Sequence, residues 1–167
     1  MHTVTTRFNA TLQLTPDASE RLMRFARGEL TWAEVEGITF QQAMQMARTG
    51  CELAARGRLD EARIIFEGLV AMNPKDTSSH AALGNVYQKL GRIDDALASY
   101  DRAIALFDRN VVALASRGEI RLRRGDRAGY TDLLRAAELD PKGSTAAGRR
   151  ALALVEAAAA AAKKERR

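Results

Sequence analysis

Glycines at a fixed period constrain this chain more than any other feature. Gly50, Gly84 and Gly118 are 34 residues apart, and so are Gly57, Gly91 and Gly125. Ala62 and Ala96 share that spacing, as do Phe66 and Tyr100. A period of this length predicts stacked copies of one supersecondary unit, each burying its apolar face against its neighbours. In the middle copy, His80, Leu83, Val86, Tyr87 and Leu90 recur at helical steps, and Gly91 ends that helix. Leu97, Tyr100, Ile104 and Phe107 give a second helix over 94–107. Each helix is too short to stand alone and must pack on its neighbours. Small residues at Gly84, Ala96 and Ala103 let those neighbours approach closely.

The pattern resembles the tetratricopeptide repeat. A bulky residue, Leu-Gly, Tyr, Ala and an aromatic appear here as His80, Leu83-Gly84, Tyr87, Ala96 and Tyr100. The copy before reads Met46, Thr49-Gly50, Leu53, Ala62, Phe66 and Pro74; the copy after reads Leu114, Arg117-Gly118, Gly129, Leu133, Ala136 and Pro141. The third copy is one residue short between Gly125 and Gly129, so a tighter turn is expected there. Its Arg117 and Arg121 replace apolar core positions. Either their stems lie over apolar surface or the helix is rotated. The resemblance implies an all-α fold: a right-handed α-solenoid of three helix pairs (43–76, 77–110 and 111–143) with N-terminal helices and a C-terminal capping helix.

The flanks fit that plan. Segment 15–42 reads as helical, with Pro16 and Gly28 bounding one helix and Thr31 and Gly37 a second. Thr39 with Gln42 forms a capping box before the first repeat. In segment 1–14, Val4, Thr6, Phe8, Ala10, Leu12 and Leu14 alternate with mostly polar neighbours. That segment is open to three readings: disordered, laid along the solenoid, or paired with another chain. Residues 144–167 give an Ala-rich helix and a basic tail, with Leu152 and Val155 as the packing residues.

Composition excludes several classes. Aromatics are 5% and hydrophobic residues 46%, with the strong helix formers Ala, Leu and Arg abundant. No apolar run is long enough to cross a membrane. The N-terminus shows no basic region followed by an apolar core, so no secretory signal is expected. Cys51 is the only cysteine, which excludes an internal disulfide and points to the cytoplasm. Residues 111–167 carry a net +6 against −1 for residues 1–110. Without interleaved aromatics, that basic end reads as a solvated face and soluble tail rather than a nucleic-acid or lipid surface.

No catalytic set is present. His80 fills a bulky core position, and Cys51 has no histidine near it in sequence. No phosphate loop or metal-ligand spacing occurs, and no cofactor is expected. Asp60-Glu61 and Asp94-Asp95 open helices, where acidic residues favour the dipole. The expectation is a non-enzymatic protein.

In the tetratricopeptide fold the first helix of each repeat lines a concave groove. The resemblance places there Met44, Ala47, Cys51 and Ala54; then Ser78, Ala81, Asn85 and Gln88; then Val112, Ala115, Glu119 and Leu122. This mostly small, apolar row suits an extended peptide with hydrophobic side chains. A carboxylate clamp for chaperone tails needs Lys, Asn and Arg in the groove, and only Asn85 matches. Helices, lead-in, three repeats and a final helix together resemble the class II chaperones of type III secretion. Those proteins hold translocators in the cytoplasm before export, and many dimerise through N-terminal helices. The resemblance implies an extended protein client and no nucleic-acid or membrane partner. Leu22, Met23 and Phe25 either support a homodimer or cover the first repeat in a monomer. A generic tetratricopeptide adaptor for a bacterial complex is the alternative function.

Overall fold

The computed structural model describes residues 16–165. The chain divides into two compact units, Met1–Thr39 and Phe40–Arg167. Among the described residues every regular element is a helix. The alternating segment 4–14 and the side chains from 161 onward, which include the basic tail, lie outside the described residues.

The first unit holds α1 (Pro16–Ala26) and the single turn α2 (Trp32–Val35). Thr31 and Glu34 form a capping box: the Glu34 amide donates to Thr31 Oγ1 at 3.3 Å, and the Thr31 amide donates to Glu34 Oε2 at 2.6 Å. Hydrogen bonding from that amide holds the Glu34 carboxyl below its ordinary range. Phe25 and Trp32 meet edge-to-face with centroids 5.4 Å apart, a favoured aromatic geometry.

The second unit is a stack of three helix pairs and a final helix. The pairs are α3 (Phe40–Ala55) with α4 (Leu59–Met72), α5 (Thr77–Lys89) with α6 (Ile93–Leu106), and α7 (Val111–Arg123) with α8 (Ala128–Leu139); α9 (Ala146–Glu165) follows. From α3 to α9, each helix packs on its successor. The glycine period has a direct steric cause. A Cβ on Gly50 would lie 2.8 Å from the Phe66 ring, and one on Gly84 would lie 2.6 Å from the Tyr100 ring. In the third pair the backbones close further, because Leu133 replaces the aromatic and a Cβ on Gly118 would meet the Gly129 carbonyl at 2.8 Å. Gly57, Gly91 and Gly125 end the first helix of each pair at φ of 75–79°, a left-handed conformation that glycine adopts without Cβ strain.

Two expectations about the third pair are corrected. The missing residue does not tighten the turn; it shortens the helix. α8 has 12 residues against 14 in α4 and α6, and Asp126 Oδ1 accepts from the Ala128 amide at its start. Arg117 and Arg121 do not simply lie over apolar surface. Arg117 grips Asp132 of α8 with two hydrogen bonds, of 2.8 and 2.6 Å, and reaches Asp101 of α6 at 2.7 Å. Arg121 adds a bond to Asp132 at 3.0 Å. Burial alone would pull the Arg117 guanidinium down, yet the two carboxylates more than offset it and its pKa is raised.

Candidate functional site

A concavity of about 630 Å³ opens on the second unit, lined by α5, α7 and the start of α9. From α5 come Asn85, Gln88 and Lys89; from α7, Val112, Ser116 and Glu119; from α9 and its approach, Thr145, Ala146, Ala147 and Arg150. Its floor is tied to the core. Tyr100 is fully buried, and its hydroxyl lies 2.8 Å from Asn85 Oδ1 and 2.9 Å from Gln88 Oε1. A hydroxyl has one hydrogen to donate and lone pairs to accept with. It therefore donates to one amide oxygen, and the other amide, turned about, donates to it. Burial pushes the Tyr100 hydroxyl up to about 12, so it stays a donor across the working pH range. Ser116 Oγ stands 3.5 Å from Asn85 Oδ1, at the edge of hydrogen-bonding range.

The rim is ionic. Arg150 Nε donates to Glu119 Oε1 at 2.8 Å, and Arg123 donates to Glu119 Oε2 at 3.2 Å. The start of α9 is fixed from below by Asp140, which accepts from the Ser144 and Thr145 amides and from Thr145 Oγ1, each at 2.8 Å. The Thr145 amide is the largest of the contributions that hold the Asp140 carboxyl below its ordinary value.

The structure divides the twelve residues expected in the groove. Asn85, Gln88, Val112 and Glu119 line the concavity together. Met44, Cys51 and Ser78 are exposed; Ala47, Ala54 and Leu122 are half-buried against the core. Ala81 and Ala115 are the correction. They are 4% and 0% exposed and sit in the apolar clusters around Tyr100 and Leu133. α5 and α7 are packed between earlier and later helices, so they bury two faces and leave a narrow strip for the groove. On α3, which opens the unit, Phe40 and Met44 are 80% and 55% exposed. Sequence reasoning missed Lys89, Ser116 and the α9 contribution of Thr145 and Arg150. The signal available was the capping role of α9, whose first turn reaches the groove side. In the first unit Met23 and Phe25 are 57% and 40% exposed; the side chain of Leu22 lies outside the described residues.

The tetratricopeptide repeat profile matches residues 78–110, the α5–α6 pair. The fold is a tetratricopeptide solenoid. Several solved solenoids similar to it come from type III secretion, and another is the first tetratricopeptide domain of Spaghetti (RPAP3), solved with an HSP90 peptide. The translocator chaperone SycD of Yersinia enterocolitica is 22% identical, with 76% of this chain and 97% of that one covered at a TM-score of 0.68. A type III secretion complex from Aeromonas hydrophila is 21% identical, covering 86% and 98% at 0.72. PcrH of Pseudomonas aeruginosa, solved with the chaperone-binding region of PopD, is 26% identical, covering 74% and 96% at 0.65. Among curated proteins, none matches this tetratricopeptide chain by sequence.

Proposed function

We propose that this protein is a cytoplasmic, non-enzymatic chaperone that holds an extended hydrophobic segment of an exported client in the groove of its solenoid. The observation that carries this reading is the open concavity on the face of α5 and α7, closed at one end by α9. Likeness to PcrH, solved with a chaperone-binding region, supports it. A half-buried valine and two amides on the lining suit an extended peptide, which needs both apolar contacts and hydrogen-bond partners for its backbone. Among the described residues no helix is long and apolar enough to cross a membrane. We place self-association on the exposed apolar residues Met23, Phe25 and Trp32 of the first unit.

Copurification from the native host, followed by coexpression, tests the reading. The recovered partner is expected to be insoluble when made alone and soluble when made with this chain. Val112→Trp, which adds bulk inside the concavity, should abolish the solubilisation while circular dichroism shows an unchanged helix content. A partner that stays soluble with Val112→Trp would move the binding surface elsewhere and end the groove reading.

A further inference from the structure

We propose that, when no client is bound, a second copy of this chain lays its residues 4–14 along the groove as a substitute for the client. This rests on the groove reading and names the occupant of the groove in the free protein. Val4, Thr6, Phe8, Ala10, Leu12 and Leu14 share one face of an extended chain, and every residue between them is polar. The segment holds no Asp, Glu, Gly or Pro. A sequence of that period buries one face and must find hydrogen-bond partners for its backbone. Among the described residues every regular element is a helix, so no sheet edge is on offer. The groove supplies both needs: Val112 and Ala146 for the apolar face, and the side chains of Asn85, Gln88 and Ser116 as polar partners.

The surface continues beyond the concavity in the same register. Val112 lines the concavity, and Ser78 and Met44 hold its position one and two repeats earlier, on α5 and α3. Met44 is 55% exposed, and Phe40, one turn before it, 80%. α3 packs on α5, α5 on α7, and α7 on α9. At about 8–10 Å between packed axes, that row is about 24–30 Å across. Residues 4–14, at about 3.3 Å each, extend about 36 Å and so can cross it. The second copy is the source because one unit carries both the segment, which runs into α1 at Pro16, and the exposed Met23, Phe25 and Trp32 on which self-association is placed. Pairing two copies through that unit gives each groove its partner's segment, a closed two-fold exchange.

Photocrosslinking in the full chain tests this. A heavy-isotope-labelled chain carrying Phe8→p-benzoylphenylalanine is mixed with unlabelled wild type and irradiated. Mass spectrometry should find crosslinks that join the labelled segment to unlabelled α5, α7 or the start of α9. A synthetic peptide of residues 3–14 should suppress them, and the same peptide with Phe8→Asp should need at least about tenfold more, the size of one lost apolar anchor. Val112→Trp in the unlabelled chain should abolish them while circular dichroism shows an unchanged helix content. The Phe8→Asp/Leu12→Asp chain, with its solenoid untouched, should self-associate at least about tenfold more weakly in sedimentation. Crosslinks confined to one chain, joining the two N-terminal segments, falling outside the groove, or absent would overturn the proposal and leave the groove reading standing. A partner still solubilised by Val112→Trp would sink the groove reading, and the client substitute with it.

Discussion

Gly84 and Tyr100 are one structural decision written at two positions 16 residues apart. The ring occupies the space where a Cβ would be, so a ring at 100 excludes a side chain at 84. Gly84→Ala places a methyl 2.6 Å from the ring. Overpacking of this kind costs about 1–3 kcal/mol, and urea denaturation should show it as a lower midpoint with an unchanged slope. The phenol itself has a pH signature. Its pKa rises from an ordinary 10 to about 12 on folding, so the neutral form is favoured by the native state. Its contribution is complete below pH 10 and is lost as pH climbs towards 12. Stability should therefore decline across that window, and Tyr100→Phe should flatten the decline. Tyr87, raised by burial and by its bond to Glu67, supplies the slope that remains.

Among the elements, the third helix pair departs from the other two. Arg117 stands where the second pair has Leu83, and the apolar contact is replaced by a bidentate bond to Asp132. The side chains are 14% and 9% exposed, and removing Asp132 leaves the Arg117 guanidinium with Asp101 alone. Asp132→Ala should cost about 1.5–3 kcal/mol, the size of lost hydrogen bonds to a charged group, and Arg117→Leu in the same chain should recover part of that loss in thermal unfolding. This pair also marks where the sequence stops being legible. The glycine period, the turn glycines and the helix pairs could be read because each is a local or strictly periodic signal. The ion cluster could not: Asp132 lies 15 residues from Arg117 and 11 from Arg121, spacings that belong to no single helix. For the same reason Ala81 and Ala115 read as groove residues. Periodicity gives the face of a helix, but not how many neighbours cover it.

At the scale of the whole molecule, the solenoid is stabilised by contacts between successive helices, so its ends matter most. α9 covers the last pair with Ala147 and Ala151, both buried, flanked by Leu152, Leu154 and Val155. Of these anchors, the alanines were invisible to sequence reading, which favours large residues. A chain ending after Gly143 should expose the Leu133 and Ala137 surface, unfold at a lower temperature and aggregate at micromolar concentration, as light scattering would record. The groove was likewise only half legible, since its α5 and α7 residues follow the repeat while Arg150 and Thr145 come from the cap. The Tyr100 hydroxyl, finally, bears on anyone who would redesign this groove. Asn85 and Gln88 look like free choices on the lining of the concavity, yet both are committed to a phenol beneath them. Replacing either amide leaves that hydroxyl a single partner, and replacing both strands it in the interior. The chemistry of the lining and the composition of the core are thus a single design variable here, and a relined concavity begins with Tyr100→Phe.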